Sequence, residues 1–150
     1  MSMPIWLQII LGVSASLIAI FGAYISYKQW KLSAYKLKHD LFERRWVIYA
    51  SAHDLIADTL NGSKEERVKS YRDLQQKIIT AQFLFPEEVC DYLHQLLDDI
   101  WNYNLLEQKI QKDLEGRQAL ENEHSEKYKH IENQAKVLAE KLKKYMELSV

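Results

Sequence analysis

The feature that most constrains the fold is an apolar N-terminal segment without a single charged side chain. Ile5 to Tyr27 is 23 residues long and almost entirely apolar. As a helix it would extend about 34 Å, enough for a hydrocarbon core of about 30 Å. Trp6 lies near one end, and Tyr24, Tyr27 and Trp30 near the other, where interfacial aromatic rings concentrate. The sequence therefore predicts a transmembrane anchor over residues 1–27. A cleaved signal peptide is disfavoured, since no Lys or Arg precedes the run and the run is long.

The basic residues beside this segment predict its orientation. Lys28 to Arg45 contains six basic and two acidic residues, a net charge of +4, whereas the whole chain carries −1. The segment from Trp46 onward therefore carries a net charge of −5. Positive flanks stay in the cytoplasm and attract anionic lipids. We expect a single-pass membrane protein, with the N-terminus outside and the C-terminus cytoplasmic. The residues expected to contact lipid headgroups are Lys28, Lys31, Lys36 and Lys38.

Small or polar residues recur along the apolar segment at alternating spacings of four and three. Such spacing places them on one side of a helix, where small side chains let a second membrane helix approach closely. This side is a candidate helix–helix packing face, although chance recurrence is the alternative. Its members are Gln8, Gly12, Ala15, Ala19, Gly22 and Ser26.

The remaining 28–150 reads as a cytoplasmic bundle of about four helices with coiled-coil character, so the predicted fold class is all-α. Gly and Pro are scarce, at 4 and 2 residues, and apolar residues recur at helical spacing. The anchor helix continues over about 28–60 and ends at Asn61-Gly62. Ser63 to Glu66 matches a capping box that opens a helix over 64–85. Pro86 then starts a helix over 87–115, and a polar connection across 113–126 leads to the last helix, over 120–147.

The first cytoplasmic helix carries two apolar stripes, which predict a central helix with a packing seam. The seam residues are Leu37, Leu41, Arg44, Ile48, Trp46, Tyr49 and His53. Within it, His53 is expected to be a hydrogen-bonded core residue, with a weak pH sensor as the alternative. Arg44 is either a surface ion-pair partner of Asp40 or a charge that specifies packing register.

No motif in the sequence indicates catalysis, a cofactor or a metal. His94, Asp98 and Asp99 lie within one or two turns of each other but lack further ligands at zinc spacing. Nucleic-acid binding is disfavoured because the bundle is acidic. The single cysteine, Cys90, is expected to be a small buried apolar side chain.

Two segments resemble a known group of proteins. They are Lys36 to Arg45, K-L-K-H-D-L-F-E-R-R, and Phe83 to Leu93, F-L-F-P-E-E-V-C-D-Y-L. They are similar to segments of small, uncharacterised bacterial membrane-anchored helical proteins. The resemblance spans about 27–110 and implies the fold and a bacterial or prophage origin, with no activity and no catalytic residues.

These features predict a non-enzymatic, membrane-tethered, self-associating scaffold or adaptor. Its expected partners are membrane lipids, further copies of itself and a cytoplasmic or membrane protein. The alternative is a membrane-permeabilising effector, for example in anti-phage defence, that acts through assembly of its transmembrane helices.

Overall fold

The computed structural model describes residues 4–112 and 117–147, without the side chains of 7–11, 15 and 117. Four helices account for nearly all of these residues, and the described ranges contain no strand, so the predicted all-α class is confirmed. They are α1, Ile5–Asn61; α2, Lys64–Ala81; α3, Glu87–Lys112; and α4, Arg117–Met146. Within the described residues, no helix contains a stretch long and apolar enough to cross a membrane.

The chain divides into two compact units. The first unit covers Met1–Asp40 and the second covers Leu41–Val150. All side chains described in the first unit are exposed except that of Ala34, which is half-buried. The second unit contains the hydrophobic core, to which all four helices contribute.

Two predicted helix boundaries are confirmed by local geometry. α1 ends at Asn61, and the Gly62 amide donates to the Asp58 carbonyl at 2.9 Å. A Cβ at Gly62 would lie 2.7 Å from that carbonyl oxygen, so the close approach requires glycine. Ser63 then caps α2: its hydroxyl accepts from the Glu66 amide, and the Glu66 carboxylate accepts from the Ser63 amide at 2.8 Å. The bond from the Ser63 amide, followed by one from the Ser63 hydroxyl to the same carboxylate at 2.9 Å, lowers the pKa of Glu66.

Two other boundaries differ from the prediction. α2 ends at Ala81 instead of 85, because Pro86 disfavours helical geometry at Phe85. The chain turns there through bonds from the Leu84 and Phe85 amides to the Ala81 carbonyl. α4 begins at Arg117, so most of the polar stretch expected as a connection is helical. The predicted helix ends leave 116–119 as the break, but 117–119 are helical, and 113–116 lie outside the described residues.

Contacts between consecutive helices show that the second unit is an up-down-up-down bundle. Ser51 of α1 pairs with Lys77 of α2, and Asp58 pairs with Ser70, so α1 and α2 are antiparallel. α2 and α3 are joined by Arg67–Glu107 and Tyr71–Trp101, and α3 and α4 by Glu88–Lys141, Asp99–His130 and Tyr103–His124. Each pair links an early residue with a late one, which is antiparallel packing.

Apolar residues in α3 and α4 recur at helical spacing, and the buried side chains follow this pattern. Leu93, Leu96 and Ile100 in α3, and Ile131, Leu138 and Leu142 in α4, are almost completely buried. Helical spacing predicts Val68, Leu74, Ile78 and Ala81 on the inner face of α2; the last three are buried, whereas Val68 is exposed. Cys90 is buried, as expected, and burial raises the pKa of its thiol, which keeps it protonated at neutral pH.

Candidate functional site: an aromatic face on α1

Four aromatic rings stack along one side of α1 in the second unit, and we call Phe42, Trp46, Tyr49 and His53 the aromatic face. Their successive ring centroids are 6.2, 5.3 and 6.2 Å apart. Spacings of four, three and four residues place the rings on one side of the helix. Phe42 and Tyr49 are half-buried, whereas Trp46 is 50% exposed and His53 is exposed. An exposed tryptophan in such a row is typical of an interaction surface.

The aromatic face borders a groove between α1 and α4. The groove has a volume of about 340 Å³. Ala139, Leu142 and Met146 of α4 form its other wall. Glu140 and Lys143 also line it, and they are its only charged residues among those described. The groove is therefore suited to an apolar side chain rather than to a polar metabolite.

His53 corrects one expectation about this face. The sequence places it in the core, but its side chain is 52% exposed and its Nδ1 lies 3.8 Å from an Asp54 carboxylate oxygen. Ile56, one turn further along, is buried. His53 and Ile56, three residues apart, continue one apolar stripe, which passes from the surface into the core because a helix with 3.6 residues per turn drifts against a 3.5-residue repeat.

The other predicted seam residues separate into buried and exposed positions. Ile48 lies in the core, at 2% exposure. Leu37, Leu41 and Arg44 are exposed. Ile48 therefore contributes to the core of this chain, and the role of the exposed residues in association with another helix stays a prediction.

The neighbouring arginine, Arg45, holds three helices together at one end of the bundle. Its Nε donates to the Leu84 carbonyl at 3.1 Å, and its guanidinium also donates to the Tyr145 carbonyl at 2.8 Å. The guanidinium carbon lies 5.7 Å from the centre of the Phe85 ring. Arg45 thus satisfies carbonyls where α2 and α4 end, which the sequence did not indicate because periodicity does not distinguish Arg44 from Arg45.

Two further polar clusters lie between helices, and sequence reasoning missed both. Lys77 of α2 donates to Asp73 and to Ser51 of α1, each at 2.6 Å, and the Lys77 hydrogen bond is the main reason that the pKa of Asp73 is lowered. Across the bundle, Arg67 pairs with Glu107 at 2.6 Å. The Lys77–Ser51 and Arg67–Glu107 contacts join residues 26 and 40 apart, so no helical spacing indicates them and only the fold reveals them.

Two of the three residues considered for a metal, His94 and Asp99, have partners within the bundle. His94 and Asp98 are exposed, and the His94 Nδ1 donates to the Cys90 carbonyl at 2.9 Å. Asp99 instead turns toward α4, where its carboxylate lies 3.1 Å from His130 Nε2. The three residues therefore face different surroundings.

The residues of the predicted transmembrane packing face are described in part. Gly12, Ala19, Gly22 and Ser26 are exposed, while the side chains of Gln8 and Ala15 lie outside the described residues. Nothing lies within 4 Å of a Cβ built on Gly12 or Gly22. The Ser26 hydroxyl donates to the Gly22 carbonyl at 2.8 Å and so has a partner within its own helix.

The lysines expected to contact lipid are all on the surface. Lys28, Lys31, Lys36 and Lys38 are exposed. The Lys28 ammonium lies 5.7 Å from the centre of the Tyr24 ring, which combines a cation with an aromatic ring one turn away.

Comparisons of the chain with models of protein families, with curated proteins and with solved structures gave no match.

Proposed function

We propose that the chain is a non-enzymatic, membrane-tethered helical scaffold that associates with further copies of itself and holds a partner protein at the bacterial inner membrane. One observation carries the proposal: a charge-free apolar segment and an exposed aromatic face belong to the same helix, α1. The apolar segment is suited to a lipid bilayer, and the aromatic face is suited to binding another protein.

The membrane tether is supported by the complete sequence of Ile5–Tyr27, including those residues whose side chains the structure does not describe. Ile18 and Phe21 are 72% and 65% exposed, a large cost in water that lipid would remove. Ser16 and Ser26 each donate a hydrogen bond to the carbonyl four residues earlier, and hydrocarbon requires such internal satisfaction. The lysines from Lys28 onward would remain with cytoplasmic headgroups.

The scaffold role is supported by the chemistry of the second unit. Its groove is apolar, and the ionised side chains between its helices pair with one another, as Arg67 does with Glu107 and Lys77 with Asp73. Such a unit is suited to packing against proteins. The acidic surface beyond Trp46 would contact the cytoplasmic partner.

Fractionation and topology tests examine the tether directly. The full-length chain, expressed in bacteria, should sediment with membranes, resist extraction by alkaline carbonate and dissolve in detergent. A C-terminal tag should resist protease outside intact spheroplasts and become accessible after lysis. Recovery of the chain in the soluble fraction, or digestion of the tag in intact spheroplasts, would overturn the proposal.

The exposed glycines support a second candidate, the membrane-permeabilising effector. Space beside Gly12 and Gly22 would admit a second membrane helix. If the chain permeabilises membranes, a membrane-impermeant dye should enter cells that express it, and Gly12→Leu should prevent this entry. Val13→Leu is the matched control, since it enlarges a neighbouring residue outside the small face. An intact barrier would favour the scaffold.

A further inference from the structure

We propose that a pocket between α2 and α3 binds a small zwitterion, a molecule that carries both an organic ammonium group and an acidic group. The ammonium group would lie on two aromatic rings beside Asp98, and the acidic group would pair with Arg72. The pocket belongs to the second unit alone, so this site is independent of the membrane tether.

The pocket has a volume of about 620 Å³, which is within the usual range for small-molecule sites. Tyr71 and Arg72 line it from α2, and Asp98 and Trp101 line it from α3. Arg72 and Asp98 are the only charged residues among the described residues that line it. The pocket thus combines an aromatic wall with one charge of each sign.

The aromatic wall is formed by Tyr71 and Trp101. Their ring centroids are 6.0 Å apart, and the ring planes are tilted by 42°. Tyr71 is half-buried, whereas Trp101 is 53% exposed, so a large part of the indole is open to a ligand. The faces of aromatic rings attract organic cations, and tryptophan does so most strongly.

The Asp98 carboxylate lies near this wall without a partner. Burial, and second the charge of Asp98, raise the pKa of the Tyr71 hydroxyl, which places the carboxylate near the phenol. Asp98 forms no hydrogen bond or ion pair with a residue that the structure describes, unlike the adjacent Asp99, which pairs with His130. A carboxylate beside an open aromatic ring is complementary to an ammonium group.

Arg72 adds a positive charge to the same pocket. Its side chain is exposed and forms no ion pair with Asp98 or with any other residue in the described ranges. A simple cation would be attracted by Asp98 but repelled by Arg72, and a simple anion would meet the reverse. A zwitterion satisfies both residues at once, and this selects the class of ligand.

The charged residues around the pocket either have partners or lie outside it. Arg67 pairs with Glu107 at 2.6 Å. His94, one turn before the pocket carboxylate, donates from its Nδ1 to a backbone carbonyl of its own helix. Lys69 lines a different surface of α2. One carboxylate and one guanidinium therefore remain for a ligand.

Nuclear magnetic resonance of the full-length chain tests the site. The ¹⁵N-labelled protein in a maltoside detergent is titrated with glycine betaine, which carries a quaternary ammonium and a carboxylate. The Trp101 indole N–H signal, assigned with Trp101→Phe, should shift saturably with a dissociation constant on the order of 1–10 mM, as expected for an open site. Trp46 is the internal control: it is 50% exposed but lines another groove, and should shift little.

Charge variants separate the two halves of the site. Arg72→Gln should weaken the binding of glycine betaine several-fold but strengthen that of tetramethylammonium, which has no acidic group and is repelled by Arg72. Asp98→Asn should weaken the binding of both ligands several-fold. Lys69→Gln is the matched control, since it removes an exposed charge of α2 outside the pocket, and should change neither. Circular dichroism of each variant verifies the helical fold.

Several results would overturn the inference. They are a Trp101 signal that stays in place or moves no more than that of Trp46, equal effects of Arg72→Gln and Lys69→Gln, and a change in the same direction for both ligands in Arg72→Gln. None of these results bears on the tether, which the fractionation and topology tests examine separately.

Discussion

The two units of the chain use apolar side chains in opposite ways. In the first, up to Asp40, the large apolar side chains that the structure describes are more than half exposed, Trp30 and Leu37 among them. In the second, Leu55 of the same helix is completely buried. Both stretches are helical and rich in apolar residues, so helix formation alone does not provide burial. The second unit covers its apolar stripes with its own helices, whereas the large apolar side chains described in the first stay exposed.

Leucine truncation in each unit should give the largest difference. Leu55→Ala leaves a cavity in a closed core and should lower the free energy of unfolding by about 2–5 kcal/mol. Leu37→Ala, at an exposed site, should change it by no more than about 0.5 kcal/mol. Urea unfolding of the detergent-solubilised chain, followed by circular dichroism, measures both. Equal losses would abolish the contrast between the units.

Substitution of the two adjacent arginines should give an intermediate effect. Arg45→Ala removes the donor to the Leu84 and Tyr145 carbonyls and should cost about 1.5–3 kcal/mol, the range for hydrogen bonds to charged groups. Arg44→Ala, at an exposed position, should cost no more than about 0.5 kcal/mol. The same unfolding assay applies, and a larger loss from Arg44→Ala would mean that Arg45 does not hold this end of the bundle.

Lowering the pH should destabilise the second unit, and we expect this loss of stability to be the smallest of the three effects. Residues before Asp40 include no carboxylate side chain, while the hydrogen bond from Lys77 lowers the pKa of Asp73 below its usual 3.8. A lowered folded pKa stabilises the fold above the unfolded value, and this contribution disappears as the pH falls through the folded value. Stability should therefore decline below about pH 4, and Asp73→Asn should decline less steeply. Identical pH profiles for the two proteins would contradict this role of Asp73.

Local signals in the sequence were sufficient for most helix boundaries. The capping box at Ser63, the close turn at Gly62 and Pro86 ahead of α3 act within a few residues, so each is legible without the fold. The end of α2 was placed four residues late because the apolar pattern continues to Phe85, beyond the last helical turn. The spacing of apolar residues indicates which side of a helix is buried. The backbone preference of the residue before Pro86 determines where this helix ends.

Only part of the candidate site could be predicted from the sequence. Trp46, Tyr49 and His53 were predicted within the packing seam, but His53 was expected in the core and is exposed. Arg45 and the Arg67–Glu107 pair were missed because their partners are between 39 and 100 residues away.

The sequence by itself determined the all-helical class, the apolar stripes and the uneven charge along the chain, because these depend on spacing and local chemistry. Only the tertiary structure decided which stripes are buried, where α4 stands beside Trp46, and that Arg45 rather than Arg44 joins the helix ends. Burial and long-range pairing depend on which helices are neighbours in space. That arrangement is set by the whole chain rather than by any short segment of it.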